Sequence, residues 1–584
     1  MDNNRKISFT EKTNVWTVVY LILFSVSAVF VIWKCRYGFG NIDESFYLTI
    51  PYRLYQGDSL FANEWHLSQM SGLLLWPLVS LYMFIFKSTT GILLAFRYLY
   101  ICILGLTSLV VFFRLKKFNP AGAAVAALVF FLYAPFNISA LSYNTMGIIF
   151  MTLCTVFFVS ETGGKKRITD FLISGFFLAA AVLCCPYLVI VYAAYTICVF
   201  VYAVFFKSIN KGSIDALSVK TWFVFSAGIA ILVAMFAVFV LSRASLNSII
   251  NSFKPILNDP EHQERGIIFK LINYIKSILL NNSFFSFVAY ILILILTIVT
   301  LIDKNKEKRQ SFYMICSAAL CGYLFCVFMY FSPYINFLMF PINLFAIECL
   351  ILFWKNVNIR NLFFKIWMPG MIYSFCIHMS SIQAFYAISS ASVVSLCASF
   401  VIAFIAVKEN LNDNQEIMKR VAALSICCLT VMQICFEVYL RYESVFWEYG
   451  ISNQVYEIED GYEKGVITTQ EKKDLYYDFI DIKDYVIHKY GENRAILFLS
   501  KNTWYYLVFD NYTNSSYSSW LSGVNDASLK KLEEYYKINP EKVPELIYVE
   551  SEYTYYIKSF KKSYSFKEEN LKNGAVILSE FSAK

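Results

Sequence analysis

Two adjacent carboxylates, Asp43 and Glu44, stand just beyond the first long apolar run of the chain, in the segment Asn41-Ile-Asp43-Glu44-Ser-Phe-Tyr47. A carboxylate within hydrogen-bond reach of a hydroxyl can take its proton, which is general-base chemistry. Alone, such a pair reads equally well as solvated loop charge. Its surroundings favour chemistry, because the same segment continues through Arg53, Asp58, Glu64 and His66 into a short apolar stretch, Ser71 to Phe86. Acids, cations and a helix lying along a membrane suit a reaction between a water-side nucleophile and a lipid-borne electrophile. A polyprenyl-phosphate ligand calls for Arg, Lys or protonated His on its phosphate, with Arg favoured for its two-pronged geometry. Arg97 is the leading cation, since it sits inside the outer end of an apolar run, where a charge is costly and usually faces a cavity. The alternative for Arg97 is snorkelling to the headgroups.

The elements that must hold these residues are membrane helices. The chain has 584 residues, of which 58% are hydrophobic and 18% aromatic, which excludes a soluble globular class. Residues 15–33 are long enough to cross a hydrocarbon core of about 30 Å. Arg5, Lys6 and Lys12 precede them and favour a cytoplasmic N-terminus, so Asp43 and Glu44 are expected outside. No small-residue cleavage pattern follows this run, which reads as a retained helix. Basic clusters recur between later runs, at 114–117, 165–167, 304–309, 355–365 and 419–420, as cytoplasmic loops do. All of them stay inside only if Ser71 to Phe86, short and interrupted by Pro77, lies along the interface or re-enters.

That assignment predicts about 13 spans, at 15–33, 92–113, 120–137, 146–160, 168–185, 187–206, 221–242, 284–302, 311–332, 334–354, 366–383, 386–407 and 421–440. The expected fold is a polytopic all-α membrane domain, residues 1–440, with long outer loops 34–91 and 243–283. An amphipathic stretch near Ile267 to Leu280 should lie on the membrane surface. Residues 441–584 change to a soluble composition and form an extracytoplasmic α/β domain, with helices near 469–489 and 527–537 and strands at 495–499 and 546–549. Tyr535, Tyr536, Tyr548, Tyr553, Tyr555 and Tyr556 could stack on sugars, although packing in an aromatic-rich chain is the commoner use.

The formal charge is +8, yet the tail 441–584 is net acidic, so the positive excess belongs to the membrane part and reports topology rather than nucleic-acid binding. The 15 cysteines fall before that tail, almost all inside apolar runs, and there are four scattered histidines. No disulfide framework, CxxC pair or His/Cys zinc site is visible. Glu348 and His378, each within an apolar run, read as packed residues. Glu437 and Arg441, four apart at the outer end of the last span, read as a modest ion pair. His262 and Arg265 in the second long outer loop are further candidates for a phosphate.

With Asp43-Glu44 before Phe46 and Tyr47, then Gly57, the short apolar segment and Arg97 in that order, the chain resembles the polyprenyl-phosphate-sugar-dependent membrane glycosyltransferases of the GT-C fold. That family includes protein O-mannosyltransferases and lipid A aminoarabinose transferases. The resemblance departs in two places. Where many members open the short segment with Lys-Pro-Pro, this chain has His66-Leu-Ser-Gln69, so His66 is a substitute phosphate contact. The second outer loop carries Ser142-Tyr143-Asn144-Thr145 without an acid, which argues against a divalent metal held by carboxylates from two loops. Tyr334-Ile-Asn336 before Pro341 resembles a Tyr/Pro pattern opening a late span.

The resemblance implies an inverting transfer of a hexosyl or pentosyl group from a polyprenyl-monophosphate donor to an extracytoplasmic glycan, lipid or protein hydroxyl. Asp43 would be the general base, with Glu44 beside it and no certain cofactor, a divalent metal being the less favoured alternative. Arg97, Arg53 and His66 would meet the donor phosphate, and Tyr47, Tyr143, Asn144, Tyr334 and Arg265 would contact donor or acceptor. The protein is then expected in a plasma membrane, with a Lys-, Asn-, Ile- and Tyr-rich composition that points to bacteria. A lipid or glycan transporter or flippase without transferase activity is the alternative. It would place paired charges near the membrane midplane, whereas a membrane-assembly protein would need no acid site at all.

Overall fold

The computed structural model describes residues 2–583 apart from 41, 136–138, 160–167, 206–215, 259–265, 281–282, 332–336, 338, 382–383, 412–416, 446–447, 449 and 522–524. Among the described residues ten helices are long and apolar enough to cross a membrane. Four shorter apolar helices, Pro120–Leu132, Tyr143–Val159, Ile168–Cys184 and Pro341–Leu352, coincide with runs also read as spans. The run expected at 386–407 is two helices, Ala384–Ala391 and Val393–Leu411. At the break Ser392 Oγ donates to Ser389 O at 2.6 Å, satisfying the backbone locally.

The first four helices frame the region of interest: α1 (Asp2–Lys34), α2 (Ile42–Tyr55), α3 (Gly72–Phe86) and α4 (Ile92–Leu115). By length and composition Gln69–Phe86 could cross a membrane, but both its ends are tied to the C-terminal domain. Just before it, Trp65 N donates to Tyr517 O at 2.8 Å, and just after it Gly91 N donates to Gly461 O at 2.8 Å. Thr89 Oγ1 adds a bond to Leu507 O at 2.8 Å. A helix of 15 residues is ~22 Å long, and one fastened at both ends to the same domain runs along the bundle end instead of through it. Gly72 rests on Ile50 of α2, where any Cβ would come within 2.5 Å of the Ile50 side chain. Among the described basic loops, Arg114 pairs with Asp170 and Lys355 with Glu307.

After the last membrane helix, Ile417–Glu443, comes the α/β domain. A short antiparallel pair, β1 (Tyr456–Glu457) and β2 (Ile467–Thr468), lies against the end of α1, where Gly38 N donates to Ile467 O at 2.9 Å. The main sheet has five strands in the order β4-β3-β5-β7-β6, from β3 (Ala495–Leu499), β4 (Thr513–Asn514), β5 (Leu546–Val549), β6 (Tyr564–Asn570) and β7 (Val576–Ala583). β3 pairs in parallel with β4 and β5, while β7 is antiparallel to both neighbours. Helices Gln470–Tyr490 and Asp526–Ile538 complete it, each capped by a side chain, Thr469 and Asn525 respectively. Of the six tyrosines named above, Tyr535, Tyr548, Tyr553 and Tyr556 are buried and Tyr555 is exposed, so most of them build core.

Candidate functional site

Asp43 and Glu44 occupy the first turn of α2, where a helix N-terminus favours negative charge. Consecutive helical residues point about 100° apart, and the two acids enter different surroundings. Glu44, buried, accepts from Arg97 Nε at 2.7 Å and Nη2 at 2.6 Å. Arg97 also donates through Nη1 to Cys35 O at 2.9 Å and through Nη2 to Gly38 O at 2.8 Å. The guanidinium thereby clamps the end of α1 to α2 and α4, and the fork that would clasp a phosphate is closed on Glu44. Arg97 acts on the site through its charge and through what it holds in place.

Asp43, half-buried, lies within electrostatic reach of Tyr47 and Tyr143. The two rings meet edge to face at 5.5 Å, with the Asn144 side chain close to both phenols. Burial, followed by Tyr143 and Asp43, holds the Tyr47 phenol well above the ordinary tyrosine value, so this hydroxyl stays neutral and able to donate. Phe46 extends the patch, with His66 at 4.6 Å and Trp520 of the C-terminal domain at 5.3 Å between ring centroids. The His66 ring accepts at Nδ1 from Ser68 N at 3.1 Å. A backbone N–H can only donate, so a neutral His66 carries its proton on Nε2.

Ser142 and Thr145 serve the helix start, where Ser142 Oγ accepts from Thr145 N at 3.0 Å and Thr145 Oγ1 accepts from Ser142 N at 2.8 Å. Their helix presents Tyr143 and Asn144 towards Asp43. Among the described residues no group of three or more His, Cys, Asp or Glu could hold a metal ion.

Arg53 lies apart from this patch. Buried, it donates to Asp58 at 2.7 Å, to Glu64 at 2.6 Å, and to the carbonyls of Asn63 at 2.8 Å and Ser516 at 2.9 Å. Lys542 adds a second cation to Asp58. Burial alone would push the Asp58 carboxyl up, but Arg53 and Lys542 bring it below the usual range. These contacts make Arg53 a rivet between the outer loop and the C-terminal domain, with its donors spent on protein atoms. Arg265, His262 and Tyr334 lie outside the described residues.

Three further residues approach the pair without having been singled out for this site. Lys34 and Arg441 line a small cavity together with Arg97, Glu44 and Ser139. The expected Glu437–Arg441 ion pair is absent among the described residues. Arg441 turns outward to donate to Ser139 Oγ at 2.8 Å, and both Glu437 oxygens, one helical turn deeper, lack a hydrogen-bond partner. The third is Glu463, buried under α4, which accepts from Gly40 N at 2.8 Å and from Tyr462 Oη at 2.6 Å. Any side chain at Gly40 would collide with Leu93 and Glu463. Glu348 and His378 are held by packing contacts, the former accepting from Thr300 at 2.6 Å and the latter meeting Lys270 O at 3.1 Å.

Glu463 predicts a pH effect. Burial pushes its carboxyl from 4.5 up to about 8, against the opposing pull of Tyr462, Arg97 and the Gly40 N–H. The folded state therefore holds a proton that the unfolded chain releases, and the stability from this group is full below about pH 4.5 and is lost as pH rises through about 8. The parent should melt lower at about pH 8 than at about pH 6, whereas Glu463→Gln should lose most of that slope. Thermal unfolding of the two purified proteins checks this. An undiminished slope in the variant would place the pH dependence on another group.

No family model matches the chain, and no curated protein matches it. Among solved structures, it is similar over 97% of its length to 74% of the oligosaccharyltransferase AglB of Archaeoglobus fulgidus in complex with an inhibitory peptide and a dolichol-phosphate, at 11% identity and a TM-score of 0.47. The apo form of the Archaeoglobus fulgidus oligosaccharyltransferase gives 11% identity and a TM-score of 0.46, with 97% of this chain and 74% of that one covered. ArnT from Cupriavidus metallidurans bound to undecaprenyl phosphate gives 13% identity and a TM-score of 0.39, with 97% and 98% covered. In its own terms the chain is a many-helix, membrane-type protein whose acid pair sits at one end of the bundle, beneath a small α/β domain.

Proposed function

We propose that the protein is a GT-C-type glycosyltransferase that moves a sugar from a polyprenyl-monophosphate donor to an acceptor hydroxyl on the outer face of a bacterial plasma membrane. The observation that carries this reading is the division of labour in α2: Glu44 is locked to Arg97, while the adjacent Asp43, half-buried and outside that clamp, lies within electrostatic reach of the Tyr47 and Tyr143 phenols. Neighbouring carboxylates in unlike environments are how one site separates a structural charge from a reacting one.

In the proposed reaction Asp43 takes the proton of the acceptor hydroxyl as its oxygen attacks the anomeric carbon. The bond from that carbon to the phosphate oxygen breaks on the opposite face, and polyprenyl monophosphate leaves with the electron pair. The anomeric centre is inverted, and Asp43 returns its proton to water. Charge building on the departing phosphate is met by donation from His66 Nε2, with the Arg97 guanidinium behind Glu44 adding positive potential from a distance. Tyr47, Tyr143 and Asn144 orient the hydroxyl by hydrogen bonding, and Trp520 brings the C-terminal domain against the same patch, where an acceptor glycan, lipid or protein would dock. Membranes carrying the parent protein should transfer radiolabel from one of a panel of polyprenyl-monophosphate hexoses and pentoses into acceptor material, with the anomeric configuration opposite to that of the donor. A retained configuration would overturn the direct displacement, and absence of any transfer would favour the transporter or flippase.

The reading also fixes an orientation. Cysteines placed at Lys117 and Lys306 should react with an impermeant maleimide only after the cells are opened, and one at exposed Lys501 should react in intact cells. The reverse pattern would put Asp43 on the cytoplasmic side and remove it from outer-leaflet chemistry.

A further inference from the structure

The cavity beside Arg97 carries more positive charge than its protein partners consume. Its walls come from the end of α1 (Lys34, Cys35, Tyr37, Gly38, Phe39), from Glu44 and Arg97, and from Ser139, Arg441, Ser444 and Val445. Three cations meet there, all nearly buried, with Lys34 at 6%, Arg97 at 4% and Arg441 at 3% exposure. Glu44 answers only Arg97. Among the described residues Lys34 Nζ has no hydrogen-bond partner, and neither has Arg441 Nε. A distant ring, Tyr37 at 5.9 Å, lies beneath Lys34. Among the described residues no carboxylate oxygen forms an ion pair with either group. Besides Glu44, the acids that act on them electrostatically are the exposed Glu443, on Lys34, and the deeper Glu437, on Arg441.

Buried cations without a counter-charge are expensive, and proteins keep them where a ligand supplies the missing charge. The space between them, ≈ 20 Å³, is room for about one water-sized group, so a single oxygen of a ligand can enter among the cations while the rest of the ligand stays outside. The flanking residues Trp33 and Tyr442 are exposed and stacked at 6.1 Å, which is how aromatic side chains mark a membrane–water boundary. A compact anion at that depth, opposite one ammonium and one guanidinium with donors to spare, matches a phosphate carried by a lipid.

We propose that Lys34 and Arg441, with Arg97 behind them, form a phosphate-binding subsite for a membrane lipid, either a polyprenyl monophosphate or an anionic phospholipid headgroup. The subsite lies on the Glu44 side of α2, away from the Asp43 patch, and needs no sugar transfer to be real. The loop from Ser139 to Tyr143 joins the two, since Arg441 holds Ser139 while Tyr143 faces Asp43.

The test measures thermal stabilisation of the full-length protein in a maltoside detergent, which has no phosphate, on titration with a polyprenyl monophosphate, phosphatidylglycerol or inorganic phosphate. The parent should be stabilised by at least one lipid phosphate. Lys34→Met/Arg441→Met should weaken that binding at least tenfold, without melting below the parent when unliganded, because it removes two unpaired buried charges. Lys34→Arg should keep the binding, as should Arg441→Lys, and these variants answer the question if the double one fails to fold. Loss confined to phosphatidylglycerol assigns the subsite to a headgroup, and loss of polyprenyl monophosphate binding assigns it to that lipid. Equal binding of all three probes by parent and charge-removing variants, or stabilisation of the parent by inorganic phosphate alone, overturns the proposal. Sugar transfer is not measured, so failure of the transferase reading would leave this result standing.

Discussion

Asp43→Asn should abolish sugar transfer while leaving binding of a polyprenyl-phosphate donor within a few-fold of the parent. The substitution keeps the size of the side chain and its capacity to accept one hydrogen bond, but it removes the ability to take a proton. A positioned general base contributes about 10²- to 10⁴-fold in rate, so residual activity of that order below the parent is the expected result. Stability should change little, because Asp43 is half-buried and is absent from the clamp that Glu44 and Arg97 form. Donor binding and transfer measured on the same membranes, matched for protein level, separate loss of chemistry from loss of fold. Transfer at the parent rate would return Asp43 to an ordinary loop charge.

The second large effect is on folding. Arg97→Ala leaves the Glu44 carboxylate buried without a partner and strips two carbonyls, Cys35 O and Gly38 O, of their donors. Removing one member of a buried pair costs about 3–5 kcal/mol, a large share of the ~5–15 kcal/mol that holds a typical protein folded. The variant should accumulate poorly and melt well below the parent. Arg97→Lys keeps the charge but loses the planar fork, and should fall between. Arg97→Met combined with Glu44→Leu should recover much of the lost stability, because the desolvation cost leaves together with the attraction. This pattern in thermal unfolding would identify the pair as a clamp. If Arg97→Ala were as stable as the parent yet failed to bind polyprenyl phosphate, the guanidinium would instead be a direct phosphate contact.

The sequence made the framework visible where chemistry leaves a periodic or compositional trace. The strands 495–499 and 546–549 and the amphipathic helix Ile267–Leu280 stand where hydropathy placed them, and most apolar runs are helices, although 386–407 is broken in two and 334–354 shortens to Pro341–Leu352. The Asp43–Glu44 pair was legible too, because acids directly after a spanning run are conspicuous. What stayed hidden depends on contacts remote in sequence. Glu44 and Arg97 are 53 residues apart, and nothing local says that the one closes the fork of the other. Arg53 read as a phosphate ligand although Asp58 and Glu64 lie only 5 and 11 residues on, because spacing in a loop does not say that both acids and Ser516, 463 residues away, close on the one guanidinium.

Arg441 looked paired with Glu437 by helical spacing, yet spacing does not say which way a guanidinium turns when a hydroxyl at Ser139 is within reach. The hairpin of β6 and β7 was missed because β6, Tyr-Ser-Phe-Lys-Glu-Glu-Asn, is mostly exposed and charged. Its turn did leave a signal, since Asn573-Gly574 supplies the positive φ of +79° at Gly574 that a tight turn uses. Glu463 left none, being one of several acids in a polar loop until the fold buries it against Gly40.

The central claim is that this molecule breaks the bond between sugar and polyprenyl phosphate, with Asp43 at the reacting centre. It is tested most directly by following a donor labelled in both sugar and lipid, in vesicles containing the purified protein and acceptor. Free polyprenyl monophosphate should appear in step with acceptor-linked sugar, at a rate reduced about 10²- to 10⁴-fold in Asp43→Asn. Donor that crosses between leaflets with its sugar still attached, at the same rate in parent and variant, would contradict it and identify a flippase.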